Sequence, residues 1–230
     1  MAKDPQHNIK ELRQWSQWAY YSNGTVTTAI DSLASLHSLD YVVVARPKKH
    51  GAKRNGYKAQ ADKMNSVLRS LRYKEVIRDA IFRDAKDGMY VAYMETKTAN
   101  PVQSSMLSDV DVSNITEINA TGVNATVIPL PIEYTRIVGR RNNCYELAFD
   151  LRYFDEITDE DNRKRKLQAF PKQIRDAYQK YTAHEFTNGA CWVRLDWRKT
   201  IVTKIKSEQS DPYGVPFAVA ALDDIDKSGG

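Results

Sequence analysis

Cysteine is scarce in this chain of 230 residues, in which Cys144 and Cys191 are the only two. They are far apart and each falls in a predicted strand. We therefore expect two buried free thiols in a reducing compartment, with a disulfide between the strands as the alternative. Long hydrophobic runs are also missing, since no stretch approaches the roughly 20 apolar residues that span a bilayer. The first ten residues are polar and lack the apolar stretch of a signal peptide, so we expect a cytoplasmic protein without a membrane partner.

Sequence signatures of several enzyme classes are missing as well. The chain has no Gly-x-Ser-x-Gly elbow, no Walker loop and no Gly-x-Gly-x-x-Gly motif. The histidines are not at metal-ligand spacing with each other or with a cysteine. They are His7, His37, His50 and His184. The acidic clusters at 159–161 and 223–224 lack the glycine and the ligand spacing of a calcium loop. We therefore predict that the protein is not an enzyme and has no cofactor or metal site.

One pattern supports a different hypothesis. Asp84 or Asp87 is followed by Glu95-Thr-Lys97. An aspartate and a Glu-x-Lys on a strand form the metal-binding core of many nucleases, in which carboxylates hold magnesium and the lysine helps to activate water. An alternative function is therefore a magnesium-dependent nuclease using Asp84, Glu95 and Lys97. The simpler interpretation is that these residues are solvated positions at a helix end and a strand end.

The charge balance is mildly basic, with 34 lysines and arginines against 29 acidic residues and a formal net charge of +5. This balance is compatible with a polyanionic partner without requiring one. Two basic clusters lie at 46–58 and at Arg163–Lys166, and such clusters can pair with phosphates by releasing counterions. Solvated surface is the alternative for both clusters. A small basic nucleic-acid-binding protein is thus a further functional hypothesis.

Hydrophobic periodicity predicts an α+β fold in which N-terminal helices precede a mostly antiparallel, β-rich body. The predicted helices cover 8–21, 25–38, 61–71, 73–87, 159–181 and 217–225, with Gly88 ending the fourth and Pro171 interrupting the fifth. The predicted strands cover 39–45, 89–95, 109–118, 125–128, 132–138, 144–152, 190–197 and 201–206. We expect one hairpin through 139–143 and a second through Arg198–Thr200.

The same pattern divides the chain into three regions. Residues 1–95 form a helical N-terminal region with two strands, and residues 96–211 form a β-rich body with one helical insertion. Residues 212–230 form a turn and the start of a further helix. Ser228-Gly-Gly230 follows that helix almost at once, so we expect that the natural chain continues or was cut at this point.

Several segments together resemble the portal proteins of tailed bacteriophages, especially those that infect Gram-positive bacteria. The segment from Trp18 to Ala45 is similar to the helices with which proteins of this family begin. The segment Ile77–Tyr93 is similar to a helix of the family that ends at a glycine and leads into a strand with alternating tyrosine and valine. The other matching segments are Pro129–Gly139, Tyr145–Phe154 and Tyr213–Phe217. They occur in the family's order and cover most of the chain.

The resemblance implies a structural subunit of the head portal, a cyclic and usually dodecameric ring at one capsid vertex. Such a ring nucleates shell assembly, docks the terminase motor, passes double-stranded DNA and later holds the tail adaptor. Portal proteins are usually much longer, and their channel helices, clip and crown have no counterpart in this sequence, so the chain corresponds to the outer wing. We expect a virion protein that is assembled in the host cytoplasm.

For a wing region, the resemblance implies contacts with neighbouring subunits and with the major capsid or scaffold proteins. The residues that we expect at these contacts are exposed arginines and lysines. They are Arg140 and Arg141 in the predicted hairpin loop and Arg163, Lys164, Arg165 and Lys166 on the predicted helix.

Overall fold

A computed structural model describes residues 5–36, 39–43, 54–98, 123–141, 144–186 and 190–221. The helices in these ranges are α1 (Pro5–Ser22), α2 (Gly24–Ser35), α3 (Arg54–Ser70), α4 (Tyr73–Asp87), α5 (Glu160–Ala169) and α6 (Lys172–Thr182). The strands are β1 (Met89–Thr98), β2 (Val123–Pro129), β3 (Thr135–Arg141), β4 (Cys144–Asp150), β5 (Trp192–Arg194) and β6 (Thr200–Lys204). Single 3-10 turns cover Ile132–Tyr134, Leu151–Tyr153 and Phe217–Ala221.

The chain divides into two compact units. The first consists of Met1–His37, Arg78–Met94 and Ile128–Gly230, and the second of Ser38–Ile77 and Glu95–Val127. The strands form two three-stranded sheets, in the orders β2-β1-β6 and β3-β4-β5. The predicted α+β class, with helices before antiparallel strands, is therefore confirmed.

Local sequence signals set several element boundaries where we predicted them. The Asn23 side chain accepts hydrogen bonds from the amides of Thr25 and Val26 and so caps the start of α2. Gly88 ends α4 with a φ of 84°, in the left-handed region that glycine adopts without strain. Pro171 separates α5 from α6 because proline favours the first turn of a helix and disrupts an interior.

The main core of the first unit lies between the two sheets and α6. Leu147 and Phe149 on β4 are fully buried, as is Ile174 on α6. Phe154 packs its ring against Phe170 and Tyr178, with both centroids 4.9 Å away. Burial does not alternate along the second half of β4, because Ala148 and Asp150 are buried as well as Leu147 and Phe149.

Helix α1 closes the end of α4 with buried polar contacts. Arg13 donates from Nε to the Asp87 carbonyl (3.1 Å), and the Ser16 hydroxyl donates to the Lys86 carbonyl (2.6 Å). Gln17 donates to the Asp87 carboxylate at 2.9 Å. The last carbonyls of a helix have no partner within it, and here α1 supplies that partner.

The turn after α4 is also held by the segment that follows β6. The Gly88 carbonyl accepts from the Ile205 amide (3.1 Å), and the Ile205 carbonyl accepts from the Val215 amide (3.0 Å). Gly88 and Gly214 cross so closely that a Cβ on either would lie closer than 3.0 Å to the other's backbone. Both glycines are therefore required by backbone approach, and Gly88 by its φ as well.

The structure corrects the second predicted hairpin. Strand β5 pairs with β4, so that Val193 lies opposite Phe149, whereas β6 pairs with β1. Asp196 stabilises the turn between them. Its carboxylate accepts a hydrogen bond from the Arg198 amide and forms an ion pair with the Arg198 guanidinium at 2.9 Å. The two strands lie in different sheets because β6 completes the β1 ladder, in which Met89 lies opposite Lys204.

The second unit contains further differences from the predictions. Residues 39–43 form no strand, and Leu39 has a left-handed φ of 52°. Its carbonyl accepts from the Tyr73 hydroxyl (2.6 Å) and Asp40 pairs with Lys74 (3.0 Å), so side chains of α4 hold this segment. The basic cluster at 46–58 is helical from Arg54 onward. The predicted strand at 109–118 and the residues after 221 lie outside the described ranges.

We predict that Gly88→Ala lowers the free energy of unfolding by more than about 2 kcal/mol, because left-handed backbone costs an L-residue about 1–2 kcal/mol before any crowding is added. Gly214→Ala should also destabilise through crowding alone. Gly24→Ala is the matched control, because a Cβ there meets nothing within 4 Å. Urea unfolding measures all three, and equal stability of Gly88→Ala and Gly24→Ala would contradict the proposed crossing.

Candidate functional site

The β3–β4 hairpin organises the exposed charges of the first unit. Thr135 lies opposite Phe149 at one end and Arg141 opposite Cys144 at the other. The register shifts between Ile137 and Gly139, so Val138 is an extra residue on β3. Strand β3 has seven residues and is therefore about 20 Å long.

The tip of this hairpin is basic. We call Arg140 and Arg141 the hairpin tip; both side chains are exposed. The Arg141 guanidinium lies over the Trp197 ring, 5.8 Å from its centroid. At this distance the cation–π contact is weak, and the exposed Arg141 guanidinium remains able to bind a carboxylate or phosphate.

An arginine side chain stacks on a tryptophan ring on the outer face of the same sheet. The Arg136 guanidinium lies 3.4 Å from the centroid of the Trp192 ring. Arg194 lies across the sheet from Ala148 on this face, and its guanidinium is 3.7 Å from the Glu146 carboxylate. We call this surface the arginine face and define it as Arg136, Arg141, Arg194, Trp192 and Trp197. Arginine and tryptophan are enriched among the energetically important residues of protein interfaces.

An acidic groove lies at the opposite end of the hairpin. It has a volume of about 380 Å³. Its lining residues are Lys10, Glu133, Tyr134, Asp150, Arg152 and Glu156, and we call it the acidic groove. Glu133 and Tyr134 directly precede β3, and Asp150 ends β4, so the hairpin positions this groove as well as the tip.

Hydrogen bonds fix the side chains of the acidic groove. The Tyr134 hydroxyl donates to Glu156, and this bond raises the pKa of Tyr134 to about 12. Although burial opposes ionisation, Arg152 holds the pKa of Asp150 below its ordinary value with a bidentate contact at 3.0 Å from Nε. Burial and the nearby Asp150 raise the pKa of the Cys191 thiol. Cys191 and Cys144 are both free and only partly buried.

The predicted contact residues of α5 do not form a single patch. Successive residues of a helix point about 100° apart, so the run from 163 to 166 surrounds most of the helix. Lys164 pairs with Glu160 at 2.8 Å, and the Lys166 ammonium lies 5.9 Å from the centroid of the Tyr153 ring. Arg163 is half-buried, and Arg165 is exposed. The four charges are therefore dispersed, whereas Arg140 and Arg141 adjoin at the hairpin tip.

The nuclease hypothesis stays a prediction. Asp84 lies in the first unit and Glu95 in the second, and the Lys97 side chain lies outside the described part. Asp84 is partly buried beside Thr203 and Tyr90, and its Oδ1 atom has no hydrogen-bond partner among the described residues. Over the described ranges, no group of three or more His, Cys, Asp or Glu residues is arranged to hold a metal ion.

Sequence reasoning missed most of the arginine face. It predicted a strand over 190–197, but β5 ends at Arg194 and Trp197 begins the following turn. Alternation along β3 could have identified Arg136 as an outward-facing residue.

Comparison with known proteins identifies no relative: no family model matches this chain, and no curated protein matches it. Of the helices that the structure describes, none is both long and apolar enough to cross a membrane.

We predict that Asp84→Asn stabilises the protein at pH 8 by about 1–2 kcal/mol, a value reduced for the partial exposure of this carboxyl. Burial raises the pKa of Asp84 from 3.8 to about 6, although hydrogen bonds from Thr203 and the Tyr90 backbone oppose this shift. The folded state thus binds the proton more tightly than the unfolded chain, and its stability falls as the pH rises from about 4 to about 6.

Urea unfolding between pH 4 and pH 8 measures this difference, which should disappear near pH 4. Asp176→Asn is the control because Asp176 is exposed on α6. A stabilisation that does not change with pH would exclude titration of Asp84 as the cause.

We predict that Arg136→Ala lowers the free energy of unfolding by about 0.5–1 kcal/mol, as expected for an exposed cation–π contact. It should also change the tryptophan emission, because the guanidinium covers the Trp192 ring. Arg165→Ala on exposed α5 serves as the control. Fluorescence-detected unfolding gives both quantities, and unchanged emission in Arg136→Ala would contradict the stack.

Proposed function

We propose that this chain is a structural subunit of a phage head portal ring, the vertex through which double-stranded DNA is packaged and ejected. In this role it contributes the wing region of the ring and catalyses no reaction. Its partners are further copies of itself and the major capsid and scaffold proteins. The ring as a whole docks the terminase and the head–tail connector proteins.

The order of elements in the first unit carries this proposal. Helix α4 ends at Gly88 and leads directly into β1, and the β3–β4 hairpin follows later in the chain. These are the elements, in the same order, of the segments that resemble portal proteins. The crossing of Gly88 with Gly214 adds a physical reason for the glycines in Ile77–Tyr93 and Tyr213–Phe217, since neither position accommodates a side chain.

The exposed surface of the first unit also suits a structural subunit. Its arginine face and hairpin tip are built on strands whose opposite face is the main core, so they form a rigid support. Rigid arginine and tryptophan side chains are suited to protein contacts because little conformational entropy is lost on binding. We assign the hairpin tip to a subunit, capsid or scaffold contact, and the dispersed charges of α5 to weaker surface contacts.

The test of this proposal is the native mass of the purified chain by light scattering, together with negative-stain images of the same fraction. We expect a closed ring with a central hole and cyclic symmetry. A monomer that cleaves DNA only with magnesium, and loses that activity in Glu95→Gln, would overturn the proposal in favour of a nuclease.

The arginine face favours a second candidate function, the binding of nucleic acid by a small basic protein. Fluorescence anisotropy with a labelled DNA duplex at several salt concentrations tests it. A nucleic-acid-binding protein would lose affinity steeply as salt rises, and Arg136→Ala with Arg194→Ala would reduce the slope. A wing region should bind the duplex weakly or not at all.

A further inference from the structure

Strand β3 forms one edge of the β3-β4-β5 sheet. Of the strands that the structure describes, only β4 pairs with it. An edge strand of an antiparallel sheet points about half of its backbone N–H and C=O groups away from the sheet, where a further strand can pair with them. Val138 on this edge is apolar but 38% exposed. Within the described part of the chain, β3 therefore offers a surface for an extended peptide segment.

The extra residue on β3 places two arginines on the same side of this edge. Arg136 lies opposite Ala148. Arg141 lies opposite Cys144, which is four positions from Ala148 along β4. Residues four positions apart point to the same face of a strand, so Arg136 and Arg141 both lie on the outer face, with their Cα atoms about 13 Å apart. Without the extra residue Val138 they would lie on opposite faces.

The positive charge of this edge exceeds the negative charge beside it. Strand β3 contains three arginines and no acidic residue. Arg136 and Arg141 contact tryptophan rings, and a guanidinium on an aromatic face keeps the N–H donors at the edge of its plane. Glu146 faces β3 from β4, but its carboxylate also pairs with Arg194 at 3.7 Å. The outer face beside β3 therefore attracts acidic groups.

The backbone and the charge of this edge together define the partner. A second copy of β3 is unsuitable, because pairing would place arginines beside arginines. A nucleic acid is unsuitable for the backbone of β3, because its phosphates accept hydrogen bonds and donate none to the outward carbonyl groups. An extended protein segment supplies main-chain donors and acceptors. Its alternate side chains share one face, so that carboxylates at these positions reach the arginines.

We propose that the edge of β3 binds an extended acidic segment of a partner protein as an additional strand of the sheet. Main-chain hydrogen bonds to β3 provide the affinity. Carboxylates four positions apart pair with Arg136 and Arg141 and provide the specificity. The inference rests on the proposed function, for which it names the chemistry of the capsid or scaffold segment that contacts the hairpin.

Fluorescence anisotropy with the full chain tests this proposal. The probe is a labelled synthetic peptide in which glutamate alternates with threonine, because threonine favours strands. It should bind saturably. Arg136→Gln combined with Arg141→Gln should weaken binding at least about tenfold, since each substitution removes a charge-assisted hydrogen bond. The matched control is Arg69→Gln combined with Lys180→Gln, exposed on α3 and α6, which should leave the dissociation constant unchanged.

Two further measurements distinguish strand addition from simple attraction between charges. The same peptide with N-methyl groups along its backbone keeps its charge but cannot pair as a strand, so it should bind at least about tenfold more weakly. Amide hydrogen exchange within residues 135–141 should slow when the unmodified peptide is bound, because its main chain protects β3. A peptide with lysine in place of glutamate should not bind. Thermal unfolding shows whether each variant is folded.

The outcomes separate this inference from the proposed function. Closed rings in which β3 neither binds the peptide nor slows in hydrogen exchange would overturn strand addition and leave the portal proposal standing. A monomer that binds the peptide as expected would support strand addition and count against the ring. Equal binding of the N-methylated peptide would overturn the inference. Tighter binding of a labelled DNA duplex that depends on Arg136 and Arg141 would overturn it in favour of nucleic acid.

Discussion

The arrangement of the first unit depends on the junction at which α4 becomes β1. Gly88 supplies the left-handed turn, α1 supplies donors for the last carbonyls of α4, and Gly214 passes close to Gly88. Every one of these contacts joins segments far apart in the sequence. They place β1 where β6 can pair with it, and the resulting sheet covers the core on which the β3–β4 hairpin rests.

The β3–β4 hairpin packs on this core with one face and carries charged side chains on its exposed parts. Leu147 and Phe149 point into the core, whereas Arg136 on β3 and Arg194 on β5 are exposed and pair with Ala148 on the other face of the sheet.

The acids of the first unit illustrate how position decides the role of a charge. Asp150 is buried but stays ionised through Arg152, whereas burial without an ion pair raises the pKa of Asp84 to about 6. Glu133 and Glu156 are exposed; Glu133 pairs with Arg13 at 3.8 Å, and Glu156 accepts from the Tyr134 hydroxyl. The protonation of an acidic residue in this unit therefore depends on its burial and its partners.

The sequence by itself determined the local structure. Periodicity, Gly88 and Pro171 set helix boundaries, because these signals act over a few neighbouring residues. Only the tertiary structure decided that β6 joins β1 instead of β5, that Trp197 leaves the strand to support Arg141, and that an acidic groove forms beside Tyr134. These features depend on which distant segments share one core, and short-range periodicity carries no information on such pairing.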